Sequence, residues 1–158
     1  MTLTALLPTL RSRKPAPFDP AAWPAGSVPT LDDVTVRAMS VGRYADICGT
    51  PCVCTGPAVI PASGGVASAT LSTTVIVATV VDATPDTLRL DACAAGLDVV
   101  WREARLLGRV SHAYDEPFAV VDAHGSEACA TVVLPGDVRV GDRIAVPCPG
   151  CHTLGEVR

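Results

Sequence analysis

The residues of this chain best suited to chemistry lie near its C-terminal end, in the run Cys148-Pro149-Gly150-Cys151-His152. Two thiols separated by two residues and followed by an imidazole have a spacing with which proteins hold zinc. His112 is a candidate fourth ligand, and Cys48 is an alternative to it. A structural zinc site commonly combines two such cysteine pairs, whereas this sequence has one. The pattern therefore leaves two readings open, a zinc site formed by Cys148, Cys151, His152 and His112, or metal-free thiols.

The other cysteines have a simpler interpretation. The chain has seven in all, an odd number with irregular spacing, and in a cytoplasm they would be reduced. Apolar neighbours in the sequence indicate that four of them are small core residues: Cys52, Cys54, Cys93 and Cys129. A thioredoxin-like redox site is disfavoured, because too few residues follow Cys151 to form the helix that such a site requires.

Length and composition limit the classes of protein. A chain of 158 residues with 49% hydrophobic content can bury one core, so we expect one domain. The net charge of −4 gives no basic surface for nucleic acid. No apolar run approaches the ~20 residues of a membrane span, and Met1 to Leu10 lacks the basic start of a secretory signal. We therefore expect a cytoplasmic protein that binds neither nucleic acid nor membrane.

Turn residues punctuate β-branched runs along the chain, which predicts an all-β fold, a compact antiparallel barrel or sandwich. Residues 1–33 are proline-rich and predict an extended arm, and residues 34–158 predict one β-domain. Ser40 and Gly49 are suited to begin and end one short helix over Val41–Cys48. The remaining assignments are strands at 34–36, 52–60, 71–81, 87–92, 118–123, 128–134, 142–146 and 153–157, a linker at 61–70, an ambiguous segment at 99–107, and a turn at the solvent-facing His124.

Several segments, taken in order, resemble parts of a known family. They are Phe18 to Pro24, Val34 to Val36, Val41 to Pro51, Leu90 to Leu97, Val99 to Arg105, and Val138 to Asp142. Together they are similar to the N-terminal segment and the C-terminal β-domain of actinobacterial diaminopimelate decarboxylases, enzymes that use pyridoxal phosphate. In that family a large (β/α)8 barrel with the cofactor-binding lysine lies between the two parts. Here a short stretch rich in Pro, Ala, Ser, Gly and Thr takes its place.

The resemblance also identifies where chemistry is lost. Gly108 to Asp115 aligns with a family motif, Gly-x-x-Cys-Glu-Ser-x-Asp, that reaches into the partner's active site, with Ser111 at the cysteine and His112 at the glutamate. Gly150-Cys151-His152 aligns with Gly-Ala-Tyr, whose tyrosine contacts the cofactor. The resemblance thus implies a vestigial interface site, whose residues are Ser111, His112, Asp115, Gly150, Cys151 and His152. We expect Ser111, His112, Cys151 and His152 to lie near one another on one face.

Three functional classes follow. The first is a non-catalytic accessory or interaction protein, acting as a homodimer or as the partner of another protein, with Leu106, Leu107 and Val110 near the association surface. The second is a small metal-dependent enzyme or metal-binding protein that uses the His/Cys cluster. The third is a component of a virion or another assembly.

We predict that the purified protein neither binds pyridoxal phosphate nor releases carbon dioxide from diaminopimelate. The only lysine, Lys14, lies in the proline-rich segment, and the resemblance leaves no barrel to hold an internal aldimine. Absorbance spectroscopy after incubation with the cofactor and dialysis checks this, with a full-length decarboxylase as the positive control. A retained aldimine band would contradict it.

Overall fold

A computed structural model describes residues 15–158. Its ten strands, numbered along the chain, are β1 (Val28–Pro29), β2 (Val34–Val36), β3 (Met39–Ser40), β4 (Cys52–Val59), β5 (Ala67–Ala83), β6 (Thr87–Leu90), β7 (Arg105–Leu107), β8 (Asp115–Val121), β9 (Ala128–Pro135) and β10 (Arg143–Pro149). Helix α1 spans Val41–Cys48, and two short 3-10 helices span Trp101–Glu103 and Leu154–Glu156.

The strands form two sheets. A small sheet has the order β1-β2-β3, and the main sheet has the order β7-β10-β5-β6-β8-β9, with β4 paired to β5. Strand pairs are antiparallel except for β6 and β8, which are parallel. The main sheet curls into a half-barrel, so the predicted all-β class with one short α-helix is confirmed for the described residues.

Strand β5 connects two hydrophobic cores because its side chains alternate between the faces of the sheet. Ile76, Ala78 and Val80 point into the half-barrel, where they pack with Leu88, Phe118 and other apolar residues. Val75 and Val77 point to the opposite face, where they pack with Trp23 and its neighbours. All five of these β5 side chains are buried, so the middle of the strand has no solvent-facing side.

Helix α1 forms where its capping residues predict. The Ser40 hydroxyl accepts a hydrogen bond from the Arg43 amide, and Gly49 ends the helix with φ of 74°, a conformation that favours glycine. Val41 and Ala45 are buried in the second core. Asp33 accepts from the Gly42 amide and the Ser40 hydroxyl, which joins the start of the helix to the loop before β2.

The segment at residues 1–33, expected as an extended arm, packs onto the domain over its described part, residues 15–33. Its first 14 residues lie outside the described part of the chain. From there on, Trp23 is completely buried and donates a hydrogen bond from its indole N–H to Glu103. Arg105 donates to the carbonyls of Ala16 and Pro17 and lies over the Phe18 ring. Trp23, with Phe18 and Ala22 packed beside it, is therefore part of the second core, and this segment covers part of the outer face of the sheet.

Three local predictions were wrong. The linker at 61–70 is a hairpin turn followed by the first residues of β5, since small residues with high turn preference are also compatible with strand pairing. The segment predicted as a strand at 153–157 contains a 3-10 helix, Leu154–Glu156, which begins at a capping box formed by Thr153 and Glu156. Leu107, expected at an association surface, is 3% exposed in the second core, because β7 pairs with β10.

Adjacent valines on β9 provide a matched test of the packing. Val132 is 1% exposed and Val133 is 58% exposed. We expect Val132→Ala to lower the free energy of unfolding by about 2 kcal/mol, through lost burial and a residual cavity. Val133→Ala should change it by less than about 0.5 kcal/mol. Chemical denaturation of both variants checks this, and equal effects would contradict the placement of the core.

Candidate functional site

The C-terminal candidate residues lie in a turn that is fixed to the sheet through Thr74. The Thr74 hydroxyl donates to the Gly150 carbonyl at 2.8 Å and accepts from the His152 amide at 3.0 Å. His152 Nε2 lies 2.9 Å from the Pro149 carbonyl oxygen, to which it donates, and Nδ1 lies 3.5 Å from a Glu156 carboxylate oxygen. Nε2 of His152 thus has a partner within the turn, and Nδ1 can donate to Glu156 only in the imidazolium form.

The two thiols of this turn differ in environment. Cys148 is completely buried, and burial, with a further contribution from Asp98, raises the pKa of its thiol. Cys151 is exposed. Zinc binds thiolates, so the raised pKa of Cys148 disfavours the ionised form that a metal site needs.

The loop from Gly108 to Asp115 is held by a different set of contacts. Arg109 forms ion pairs with Asp137 at 3.0 Å and with Asp142 at 2.7 Å. The Ser111 hydroxyl donates to Asp137 at 2.6 Å. His112 is exposed, and Asp115 begins β8 opposite Pro135. The sequence pattern gave no role to Arg109, Asp137 or Asp142, although they fix this loop.

The loop and the C-terminal turn lie at opposite ends of β10. Leu107 at the end of β7 pairs with Arg143 at the start of β10, and the turn follows Pro149 at its end. A strand of seven residues is roughly 20 Å long. The expected proximity of Ser111 and His112 to Cys151 and His152 is therefore wrong. Residues 15–158 contain no group of three or more His, Cys, Asp or Glu side chains placed to hold a metal ion, so the predicted ligands are not assembled.

A polar groove of about 610 Å³ lies between the start of α1 and the loops at Gly108 and Gly141. Several of its charged side chains are engaged with one another or with the backbone. Arg143 pairs with Asp46 at 2.6 Å, Arg109 with Asp142, and Asp33 with the first turn of α1. The groove is lined by four aspartates and three arginines, so its charges nearly balance.

A buried carboxylate inside the half-barrel is satisfied by two thiols. Asp122 is 5% exposed and lies 3.3 Å from Cys129 Sγ and 3.8 Å from Cys93 Sγ, and it accepts from the Ala94 amide. Burial first, then the hydrogen bond to Asp122, raises the pKa of Cys129 to about 11. The enclosed space beside Asp122 is about 10 Å³, room for about one water molecule, so the interior is packed rather than a ligand chamber.

The tip of the β4–β5 hairpin, residues 57–72, is an unusually apolar and uncharged part of the surface. Ile60, Val66 and Leu71 are 42%, 55% and 62% exposed there. No charged residue occurs between Asp46 and Asp82 in the sequence. The pairing of β10 with β5 ends at Thr73, so the tip projects beyond that neighbour. The long uncharged run was the sequence signal that could have located this surface.

Comparisons with protein-family models, curated proteins and solved structures found no match to this chain. In the described part of the chain, no helix has the length and apolar character needed to cross a bilayer.

We expect Arg109→Met to lower the free energy of unfolding by about 2–3 kcal/mol at neutral pH, because it leaves the buried Asp142 without its cation. This loss of stability is at or below the range measured when one partner of a buried ion pair is removed, because the Arg109 side chain is 22% exposed. Arg139→Met, at an exposed position of the same region, is the control and should change it by less than about 0.5 kcal/mol.

The pH dependence follows from Asp137. Burial alone would raise the pKa of Asp137, but hydrogen bonds from Arg109 and Ser111 outweigh it and lower the pKa. A lowered pKa stabilises the fold above the ordinary aspartate range and loses that effect as the pH falls through the folded value. The difference in free energy of unfolding between the wild type and Arg109→Met should therefore become smaller below about pH 4. A difference independent of pH would contradict this assignment.

Proposed function

We propose that this protein is a non-catalytic interaction protein that acts as a dimer or as the partner of another protein. The observation that carries the proposal is the uncharged hairpin tip with Ile60, Val66 and Leu71 exposed. An isolated two-stranded ribbon is marginally stable in water, and exposed apolar patches on soluble proteins are commonly contact surfaces. A partner that covers the tip would stabilise both the ribbon and the complex.

The resemblance to the decarboxylases supports the same proposal. The hairpin turn lies where that family carries its barrel, between the N-terminal segment and the C-terminal β-domain. On this proposal the chain is a pseudoenzyme derived from such a β-domain, and its partner covers surface that the barrel covered in the ancestor. A full-length decarboxylase-like enzyme is one candidate partner, and a second copy of this chain is another.

The chemistry of the described residues favours interaction over catalysis. His152 donates from Nε2 to the Pro149 carbonyl, Arg109 is held by two aspartates, and Cys129 has a pKa raised to about 11. No specific observation favours the metal-dependent alternative or the assembly alternative.

We expect the purified protein, or the protein recovered from its host, to be part of a complex whose formation requires Leu71. Leu71→Asp places a charge in the contact and should weaken association, while Val133→Asp, at a similarly exposed position on β9, should not. Native mass spectrometry and affinity capture with both variants as baits check this. A monomer at all micromolar concentrations, with no partner whose capture depends on Leu71, would contradict the proposal.

A further inference from the structure

We propose that the polar groove between α1 and the loops at Gly108 and Gly141 binds a small zwitterion, a molecule that carries one ammonium group and one carboxylate group. Asp32 receives the ammonium group, and Arg43 receives the carboxylate group. This site is separate from the hairpin tip, so it goes beyond the proposed function and does not depend on it. The proposal rests on which charges of the groove are left without an ionic partner.

Five of the seven charged side chains that line the groove are held by contacts within the protein. Arg143 pairs with Asp46 at 2.6 Å. Arg109 donates two hydrogen bonds to Asp142, one to each carboxylate oxygen. Asp33 accepts from two backbone amides and from a serine hydroxyl. A ligand that contacted these five groups would compete with contacts that stabilise the fold.

The other two charged side chains, Asp32 and Arg43, have no ionic partner in the described part of the chain. Arg43 donates through its backbone amide to the Ser40 hydroxyl, which leaves the guanidinium group for a ligand. The Asp32 carboxylate accepts one long hydrogen bond, 3.4 Å from the Thr30 hydroxyl. Both residues are exposed, so each can contact a ligand while the ion pairs of the groove stay intact.

The two free charges line one cavity from different walls. The Asp32 carbonyl accepts from the amide of Gly108, which fixes this residue beside the loop, whereas Arg43 lies in the first turn of α1. Because they line the same groove without pairing with each other, a ligand can extend from one to the other. The groove has a volume of about 610 Å³, which is within the range of small-molecule sites in proteins.

The balance of charge determines the class of ligand. An anion that binds Arg43 would also meet the carboxylate of Asp32, and a cation that binds Asp32 would also meet the guanidinium group. A zwitterion satisfies both free groups and leaves the net charge of the groove unchanged. Hydrogen bonds between ionised groups are stronger than those between neutral groups. Because both side chains are exposed, we expect binding to weaken as the salt concentration rises.

The test is a titration of the full chain followed by amide NMR. The probes are 3-aminopropionate, 4-aminobutyrate and 6-aminohexanoate, in which the two charges are progressively farther apart, with butylamine and butyrate as singly charged controls. We expect the zwitterions to shift the amide signals of Gly108 and Gly141 at the groove, but not those of Gly64 and Gly65 at the hairpin tip. The best zwitterion should bind about fivefold or more tightly than either control, because it makes a second charged hydrogen bond.

Variants test the two assigned side chains separately. Asp32→Asn and Arg43→Gln should each weaken binding of the best zwitterion about fivefold or more. Glu127→Gln and Arg139→Gln remove exposed charges outside the groove and should leave it unchanged. Thermal unfolding confirms that each variant is folded, and titration of the wild type at increasing salt provides a second measurement that needs no variant.

Each other outcome overturns the proposal. Groove amides that no zwitterion shifts would exclude the site, and butylamine or butyrate binding as tightly as the zwitterions would show that one charge is enough. Affinity that is unchanged in both Asp32→Asn and Arg43→Gln, or that does not depend on salt, would exclude the assigned contacts. Binding to phosphatidylethanolamine vesicles but to none of the free probes would identify a lipid headgroup as the ligand instead. None of these results bears on association through the hairpin tip.

Discussion

The rest of the structure depends on the burial of β5 on both faces. This strand pairs with β4, β10 and β6, and its alternating side chains enter the two cores. One face is covered by the curl of the sheet, because β8 and β9 bring Phe118 and Val132 over it. The other face needs cover from outside the sheet, which the segment around Trp23 and helix α1 provide. The N-terminal segment is therefore a structural requirement of the sheet and not an appendage, and the ion pairs and caps that hold it contribute to stability through this role.

The β4 edge of the main sheet is protected by hydrogen bonds from neighbouring segments, and β4 carries no charged residue. Along β4, the Val53 carbonyl accepts from the Tyr44 hydroxyl and the Pro57 carbonyl accepts from the Ala25 amide. Further along the hairpin, Ser68 fills the amides of the bulge. Proteins commonly place lysine or other charges on exposed edges to prevent aggregation. Here the backbone is protected while the side chains stay apolar, a combination that disfavours pairing with another strand.

The sequence predicted elements whose signals are local, and it failed where distant segments meet. Helix α1 was predictable because Ser40 and Gly49 act within one turn of it, and the β8–β9 hairpin because turn residues around His124 separate two apolar runs. The linker at 61–70 was misassigned because Ser, Ala and Thr carry no periodic pattern, while pairing with β4 decides their conformation. The candidate site failed for a topological reason. Cys-x-x-Cys-His spacing and the loop at His112 are each recognisable, but only the register of β7 on β10 reveals that they lie at opposite ends of β10.

Several reactive groups of the described residues are engaged in structural contacts. Asp122 is satisfied by two thiols and an amide, Asp33 holds the start of α1, and Arg109 joins Asp137 to Asp142. Every one of these groups would have to give up a structural partner to bind a substrate, and an unpaired buried charge destabilises the fold. The hairpin tip carries no such obligation, because its backbone is satisfied by its own serines and its side chains contribute little to either core. Contact with a partner at the tip, as proposed, would therefore not compete with these structural contacts.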